Sequence, residues 1–411
     1  TISDQVSNGT IEISKAKDPK VFKEKQTKNS KSISGGGCNN GTICTINNSQ
    51  TNGVTIGNNG TLIIEKEGSV IVSNNPSVDI SSDSKNIEII NKGSISGPDR
   101  AGIRINGNNN QLTQINNSGE INGGHGITFN GSNNTLDNLT NSGVIQGTNS
   151  GINIQGSNNT IKSIINNGTI TGGSNGISVS NKGLVNVVLN MQDGVILGEN
   201  SGIKIQSGVI NTLENNGIVR GEKNHGIEIS HQGKVDNIIN SGVIYGKLDG
   251  FNMISMWDYN RINKIENKNI FTGGRYGIYI NQSSVINTLI NSGIIFGGID
   301  GIMVSSEWGR SGSIENIDNK GTIVGKHNGI NVKFFSNNHS LIASINTITN
   351  KGTILGQSGA GVFINGSNQH IKNYIKLEGS NALIAGGTAG IYNKGTIGVN
   401  NNGTSVNNGN V

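Results

Sequence analysis

Residues 138–162 read NLTNSGVIQGTNSGINIQGSNNTIK, and residues 163–186 read SIINNGTITGGSNGISVSNKGLVN. The second stretch restates the first with substitutions. Each holds an Asn, then Gly, an apolar core and Gly, then Gly-Ile, then two apolar residues three positions apart. The phrase G-x-I-x-G recurs as GSISG (93–97), GEING (119–123), GVIQG (143–147), GTITG (168–172), GVILG (194–198) and GIVRG (217–221). It continues as GVIYG (242–246), NIFTG (269–273), GIIFG (293–297), GTIVG (321–325) and GTILG (352–356). The spacing averages about 26 residues, which is a solenoid period.

Seven to nine residues after the start of each anchor comes Gly-Ile, as at Gly102-Ile103, Gly126-Ile127, Gly151-Ile152, Gly202-Ile203, Gly226-Ile227, Gly277-Ile278 and Gly329-Ile330. A third apolar pair follows, for instance Ile161/Ile164, Ile210/Leu213, Val235/Ile238 and Ile286/Leu289. These stretches are too short for helices, and I-x-I alternation is a strand signature. Three short strands per repeat predict an all-β chain, a right-handed three-stranded parallel β-helix with coils of about 25 residues. Equivalent residues then stack about 4.8 Å apart.

One inward ladder is expected at Ile95, Ile121, Ile145, Ile170, Ile196, Val219, Ile244, Phe271, Ile295, Ile323 and Ile354. A second, polar ladder is expected two residues before each anchor. It reads Asn91, Asn117, Asn141, Asn166, Gln192, Asn215, Asn240, Asn267, Asn291, Asn319 and Asn350. Side-chain amides stacked along an axis donate to and accept from one another, so buried corner amides stay satisfied. The anchor Gly that follows is expected to take positive φ at the corner.

Composition alone would mislead. AVILMFWYC make up 32% of the 411 residues, and Gly numbers 63, which hints at disorder. Yet charged residues are only 14%, net charge is +5 and there are 3 Pro, so the chain lacks the marks of a disordered tail. No run approaches the roughly 18 apolar residues of a membrane helix. The chain opens at Thr1 without Met, and a removed leader is expected. The reading divides it into an N-terminal cap with irregular coils (1–52), the β-helix (53–395) and a linker (396–411). Residues 15–28 form a charged insertion, read as a solvated loop. Cys38 and Cys44 are six apart and are expected to be bonded, which suits an oxidising compartment. A metal site is not favoured, because no second Cys pair or His cluster accompanies them.

Catalytic motifs fail on inspection. Gly124-His125-Gly126 matches a fragment of a polygalacturonase pattern, but no adjacent Asp pair supplies the acid and base. His125 also occupies a position filled by Ala101, Ser150, Asn175, Ser201, His225 and Asp249 in other coils. Gly172–Gly176 fits G-x-S-x-G, but the motif needs a strand–turn–helix setting and here falls between strands. Calcium nonapeptides are absent, and the six His are dispersed. No enzyme activity, cofactor, metal or nucleic-acid partner is expected.

Two features rise above background. Of the 16 aromatic residues, 11 fall between Tyr245 and Phe335. Longer connections between the second and third strands carry Trp257 and Tyr259, then Trp308, then Phe334 and Phe335, where earlier coils have only short turns such as QGSNNT (155–160). Aromatic surface loops are common binding elements. The second feature is the outward side of the first strand. It reads Ser94/Ser96 and Glu120/Asn122 early, then Val195/Leu197, Val243/Tyr245, Ile294/Phe296 and Thr353/Leu355. An apolar stripe across several coils is read as a partner face or a surface covered by a loop. The candidate binding set is therefore Trp257, Tyr259, Trp308, Phe334 and Phe335, with Tyr245 and Phe296 expected beside them.

The N-x-G-x-I-x-G…G-I-x-I coils resemble passenger domains of bacterial autotransporters of type V secretion, over roughly residues 50–395. They are similar to the Asn/Gly-rich adhesin and vacuolating-toxin-like passengers of Campylobacter and Helicobacter. The resemblance implies export, display at the bacterial outer membrane and adhesion. The implied partner is a host-cell surface protein or glycan, or another copy on a neighbouring cell. It also implies a C-terminal β-barrel translocator, whose alternating strands this sequence does not contain. A toxin-like passenger that oligomerises is the alternative it carries, and a carbohydrate-active β-helix enzyme is the less favoured third.

Overall fold

The computed structural model describes residues 30–32, 36–307, 310–334, 343–365, 370–399 and 405–407. Among these residues there is no helix. Parallel strands stack as a β-solenoid of about 13 coils, about 25 residues apart. Each regular coil contributes one strand to each of three faces. On the third face, Thr135–Asn141 lies between Gln111–Asn117 and Thr160–Asn166. On the first and second faces, Val144–Ile154 pairs with Glu120–Phe129 on one side and with Thr169–Gly172 and Asn175–Ser180 on the other. Parallel pairing reaches beyond 53–395 at both ends, from Ser30–Ser32 and Gly36–Cys38 to Thr396–Val399. The charged stretch 15–28 lies outside the described residues.

Alternation places one side of every strand inside. In Val144–Ile154, Ile145, Ile152 and Ile154 are fully buried while Val144 and Gln146 face out. Register then stacks like on like. The ladder from Ile95 through Phe271 to Ile354 is continuous and has no exposed member. Burying each such side chain contributes about 2–3 kcal/mol against the entropy of ordering the coil.

The Asn ladder is present with one correction. Each Nδ2 donates to the Oδ1 of the next coil, from Asn91 to Asn117 (2.7 Å) through to Asn319 to Asn350 (2.6 Å). The member between Asn166 and Asn215 is Asn190, not Gln192. That coil holds two extra residues before its anchor, so Asn190 donates to Gly194 O, four residues on, where other ladder Asn reach a carbonyl two residues on. Gln192 is exposed in the bulge this creates. The ladder is therefore Asn throughout.

A second correction concerns backbone handedness. Among the described glycines, positive φ falls on Gly36, Gly41, Gly379 and Gly398 and on none of the anchors. The anchors are Gly because coils approach closely: a Cβ on Gly119 or Gly143 would sit closer than 3.0 Å to the carbonyl of the Gly one coil below. The left-handed positions belong to the tight corner between second and third strands. There Asn109, Asn133 and Asn158 take φ of 58°, 58° and 57°. Asn tolerates this region better than other residues with a Cβ. Cys38 and Cys44 are joined as a disulfide with Cα atoms 5.9 Å apart, and both are fully buried in the first coils.

Candidate functional site: a loop corner and two chemically distinct faces

The three aromatic-bearing connections open from one corner, between second and third strands. Within Asp249–Asn267, Ser255 pairs with Gln282 and Asn260 with Ser284. Four residues thus intervene on one strand where Ser283 alone intervenes on the other. Two coils further on, Ser306 and Glu307 pair antiparallel with Ser311 and Arg310. In the next coil Phe334 pairs with Ser306, and the chain re-enters the third face at Ser344 opposite Ser313. The side chains of Trp257, Tyr259 and Phe334, and the whole of Trp308 and Phe335, lie outside the described residues.

Tyr245 and Phe296 stand elsewhere. They occupy one outward column of the first face, Tyr245–Thr272–Phe296. The second strand, Asp249 to Ser255, separates that face from the loop corner by about 20 Å of chain. Tyr245 and Phe296 therefore stand on a different face from the roots of the loops, not beside them. Closeness in sequence, Tyr245 to Trp257, spans a change of face.

The first face is apolar in its later coils. Val195, Ile218, Val243, Ile270 and Ile294 form one outward column, with Ile218 and Ile294 exposed by 42% and 44%. The one charged residue within these later first-face strands, Arg220, points outward, lies 4.8 Å from the Tyr245 ring centroid and pairs with Glu222 at 2.8 Å. Earlier coils present Ser94, Ser96, Glu120 and Asn122 at the same positions. The third face is mixed, with an outward column that runs Ile165, Leu189, Glu214, Ile239, Glu266 and Ile290. Lys162 meets Asp137 at 2.7 Å, and amides stack as Asn211 on Asn186 and Asn287 on Asn263.

Sequence reasoning missed a buried ionic group at the start of the second strand. Register stacks Ser201, His225, Asp249, Tyr276 and Asp300 in one column. Asp249 is fully buried. His225 Nδ1 lies 3.2 Å from it, Arg275 Nη2 2.8 Å, and Asn252 donates to it at 2.8 Å. Burial alone would push the Asp249 carboxyl up, but the His225 imidazole and the Arg275 guanidinium outweigh it and hold the group below its ordinary range. Asp300 accepts from the Asn328 backbone (2.9 Å), the Asn328 side chain (2.8 Å) and Asn331 (2.8 Å). Tyr276, between the two carboxylates, is pushed up to about 12 by burial and by Asp300. Both carboxylates are enclosed and saturated with donors, so the group acts as a clamp on successive corners. The signal was available: this column reads as merely variable until its acids are placed beside Arg275 one coil away.

The clamp predicts a pH dependence. Asp249 has a depressed folded pKa, so its contribution is present above about pH 4 and is lost as pH falls through the folded value. The acid limb of the stability curve should be shallower for Asp249→Asn than for the wild type, by up to one proton. Superimposable limbs would show that the clamp adds nothing. No protein-family model, curated protein or solved structure matches this chain.

Proposed function

We propose that the chain is a non-enzymatic adhesin passenger of the type V secretion kind, displayed at the bacterial cell surface. It is a rod that holds binding loops at a fixed place. Its partner is a host-cell surface protein or glycan, with self-association as a second outcome of the same contacts. The observation that carries this reading is the stacking of three loop roots at one corner of the rod. Five of the 16 aromatic residues of the sequence, both Trp among them, fall in those same loops. Binding energy gathers in a few Trp and Tyr side chains, and a stacked β core holds its loops without needing them for strand pairing.

The test is the double variant Trp257→Ala/Trp308→Ala. Adhesion to host cells should fall at least tenfold while circular dichroism stays as in the wild type. A glycan array and a cell-aggregation assay on the same pair identify which partner is lost. The comparison pair is Glu120→Ala/Gln146→Ala, two exposed positions on the first face of the earlier coils. Normal adhesion by the Trp pair together with lost adhesion by the comparison pair would place binding on the N-terminal half and sink the proposal.

A further inference from the structure

Five buried polar atoms at one interior corner have no protein partner: Ser255 Oγ, Asn260 Oδ1, Gln282 Oε1, Ser284 Oγ and Ser306 Oγ. Gln282 is 3% exposed and the other four residues are 0% exposed. Elsewhere among the described residues, such atoms are scattered one or two to a coil. All five sit at the inner side of the corner between second and third strands. Met253, Ile280 and Val304 point into the core, and Ser255, Gln282 and Ser306 each lie two residues further along. Ile262 and Ile286 point inward on the third face, and Asn260 and Ser284 precede them by two. Register stacks Ser255 on Gln282 and Asn260 on Ser284.

Other coils fill this corner differently. In the early coils Asn110, Asn134 and Asn159 occupy it, and their Oδ1 atoms accept the backbone N–H of Ser84, Asn110 and Asn134 at 2.9–3.0 Å. In the next coils Gly208 and Gly233 close it, since a Cβ on either would fall within 3.0 Å of core atoms. In the coils that follow, Asn260 and then Ser284 hold the phase of those Asn, beside Ser255 and Gln282, and neither Asn260 Oδ1 nor Ser284 Oγ accepts a backbone N–H. Gly312 shuts the corner again, with its Cβ position 2.8 Å from Ile280 O. The polar stretch is therefore bounded at both ends.

Leaving a buried polar atom unpaired costs about 1–3 kcal/mol. Five such costs in one place would take up most of the roughly 5–15 kcal/mol by which a domain is stable. We infer that a file of ordered water molecules runs along the axis inside this corner, bridging Ser255, Gln282 and Ser306 on one side and Asn260 and Ser284 on the other. Water accepts from the three hydroxyls and donates to the two amide oxygens, which gives each of the five atoms the partner it lacks. A divalent cation fits less well, because the five oxygens are neutral and the hard cations favour carboxylates. The file lies directly beneath the loop roots, and it follows from the polar atoms whether or not the loops bind anything.

The test is a crystal structure of the whole chain at a resolution that shows ordered water, with a second crystal soaked in rubidium. Waters should stand about 2.7–3.2 Å from the five atoms, and rubidium should leave no anomalous peak in the corner. A crystal of Ser284→Ala should lose the water at that position and keep the one beside Ser306. A dry corner with side chains turned to protein partners would overturn the inference, and so would an anomalous peak there.

Discussion

Asn240→Leu is expected to destabilise the protein by about 2–3 kcal/mol although it adds apolar surface to the interior. Asn240 is fully buried, donates to Asn267 Oδ1 and Ile270 O at 2.9 Å each, and accepts from Asn215 Nδ2 at 2.8 Å. With Leu in place, Asn215 Nδ2 keeps Gly217 O and Val243 O, each at 3.2 Å. Asn267 Oδ1 keeps nothing, and it is that orphaned acceptor which sets the cost. The ladder's own ends make the same point. Ile64 precedes Asn91 in register, and Asn91 Oδ1 is the one ladder acceptor without a partner. Leu377 follows Asn350, whose Nδ2 instead donates to Gly352 O and Leu383 O at 2.9 and 3.0 Å. An apolar residue is thus found only where the ladder stops. Urea unfolding measures the change, with Gln192→Ala as the comparison: it is exposed and should shift stability by less than about 0.5 kcal/mol. A midpoint for Asn240→Leu at or above wild type would mean the amide chain contributes nothing.

Particular residues show what the sequence makes visible and what it hides. The Ile95–Ile354 ladder was legible because inward strand positions tolerate one kind of side chain, and repetition exposes them. The amide ladder was legible for the same reason, but its phase was not. Counting two residues back from GVILG lands on Gln192, whereas Asn190 alone keeps the amide in line when two residues bulge out. The anchor glycines were visible while their cause was not: a missing Cβ serves close approach there, and positive φ falls on Asn109, Asn133 and Asn158. The loop insertions were legible as length changes at one phase of the repeat. The outward place of Tyr245 on the first strand was legible too, but not its distance from the loop corner, because a coil turns through a corner between Tyr245 and Asp249. The Asp249 clamp was hidden for a different reason. Its partner His225 stands in the same column one coil back, but Arg275 falls one position outside that column in the next coil, so only the placed coils bring the three together.

Gly226→Val should be the more damaging change, costing upwards of about 3 kcal/mol. A Gly starts the second-strand phrase in twelve successive coils, from Gly102 to Gly390. Gly226 does not have positive φ, so backbone conformation is no obstacle to a side chain. Space is the obstacle. A Cβ there would lie 2.6 Å from Gly250 O, 2.7 Å from Ile244 Cγ2 and 2.8 Å from Tyr245 O. Two of these are backbone atoms in the adjoining coil and the third is a fully buried core methyl, so none can yield without parting the coils. The consequence is set by the architecture. A solenoid coil is held chiefly by its two neighbours, so a weakened junction uncouples the coils on either side instead of unfolding the chain as one unit. Urea unfolding of Gly226→Val should therefore split into two transitions, and limited proteolysis should open a site near residues 221–226. Gly37→Ala is the matched comparison: that Gly is exposed, its nearest contact would be 3.6 Å away, and its variant should unfold like wild type. A single transition at the wild-type midpoint for Gly226→Val would mean that the coils can separate there at little cost, and that close approach is not what keeps this column Gly.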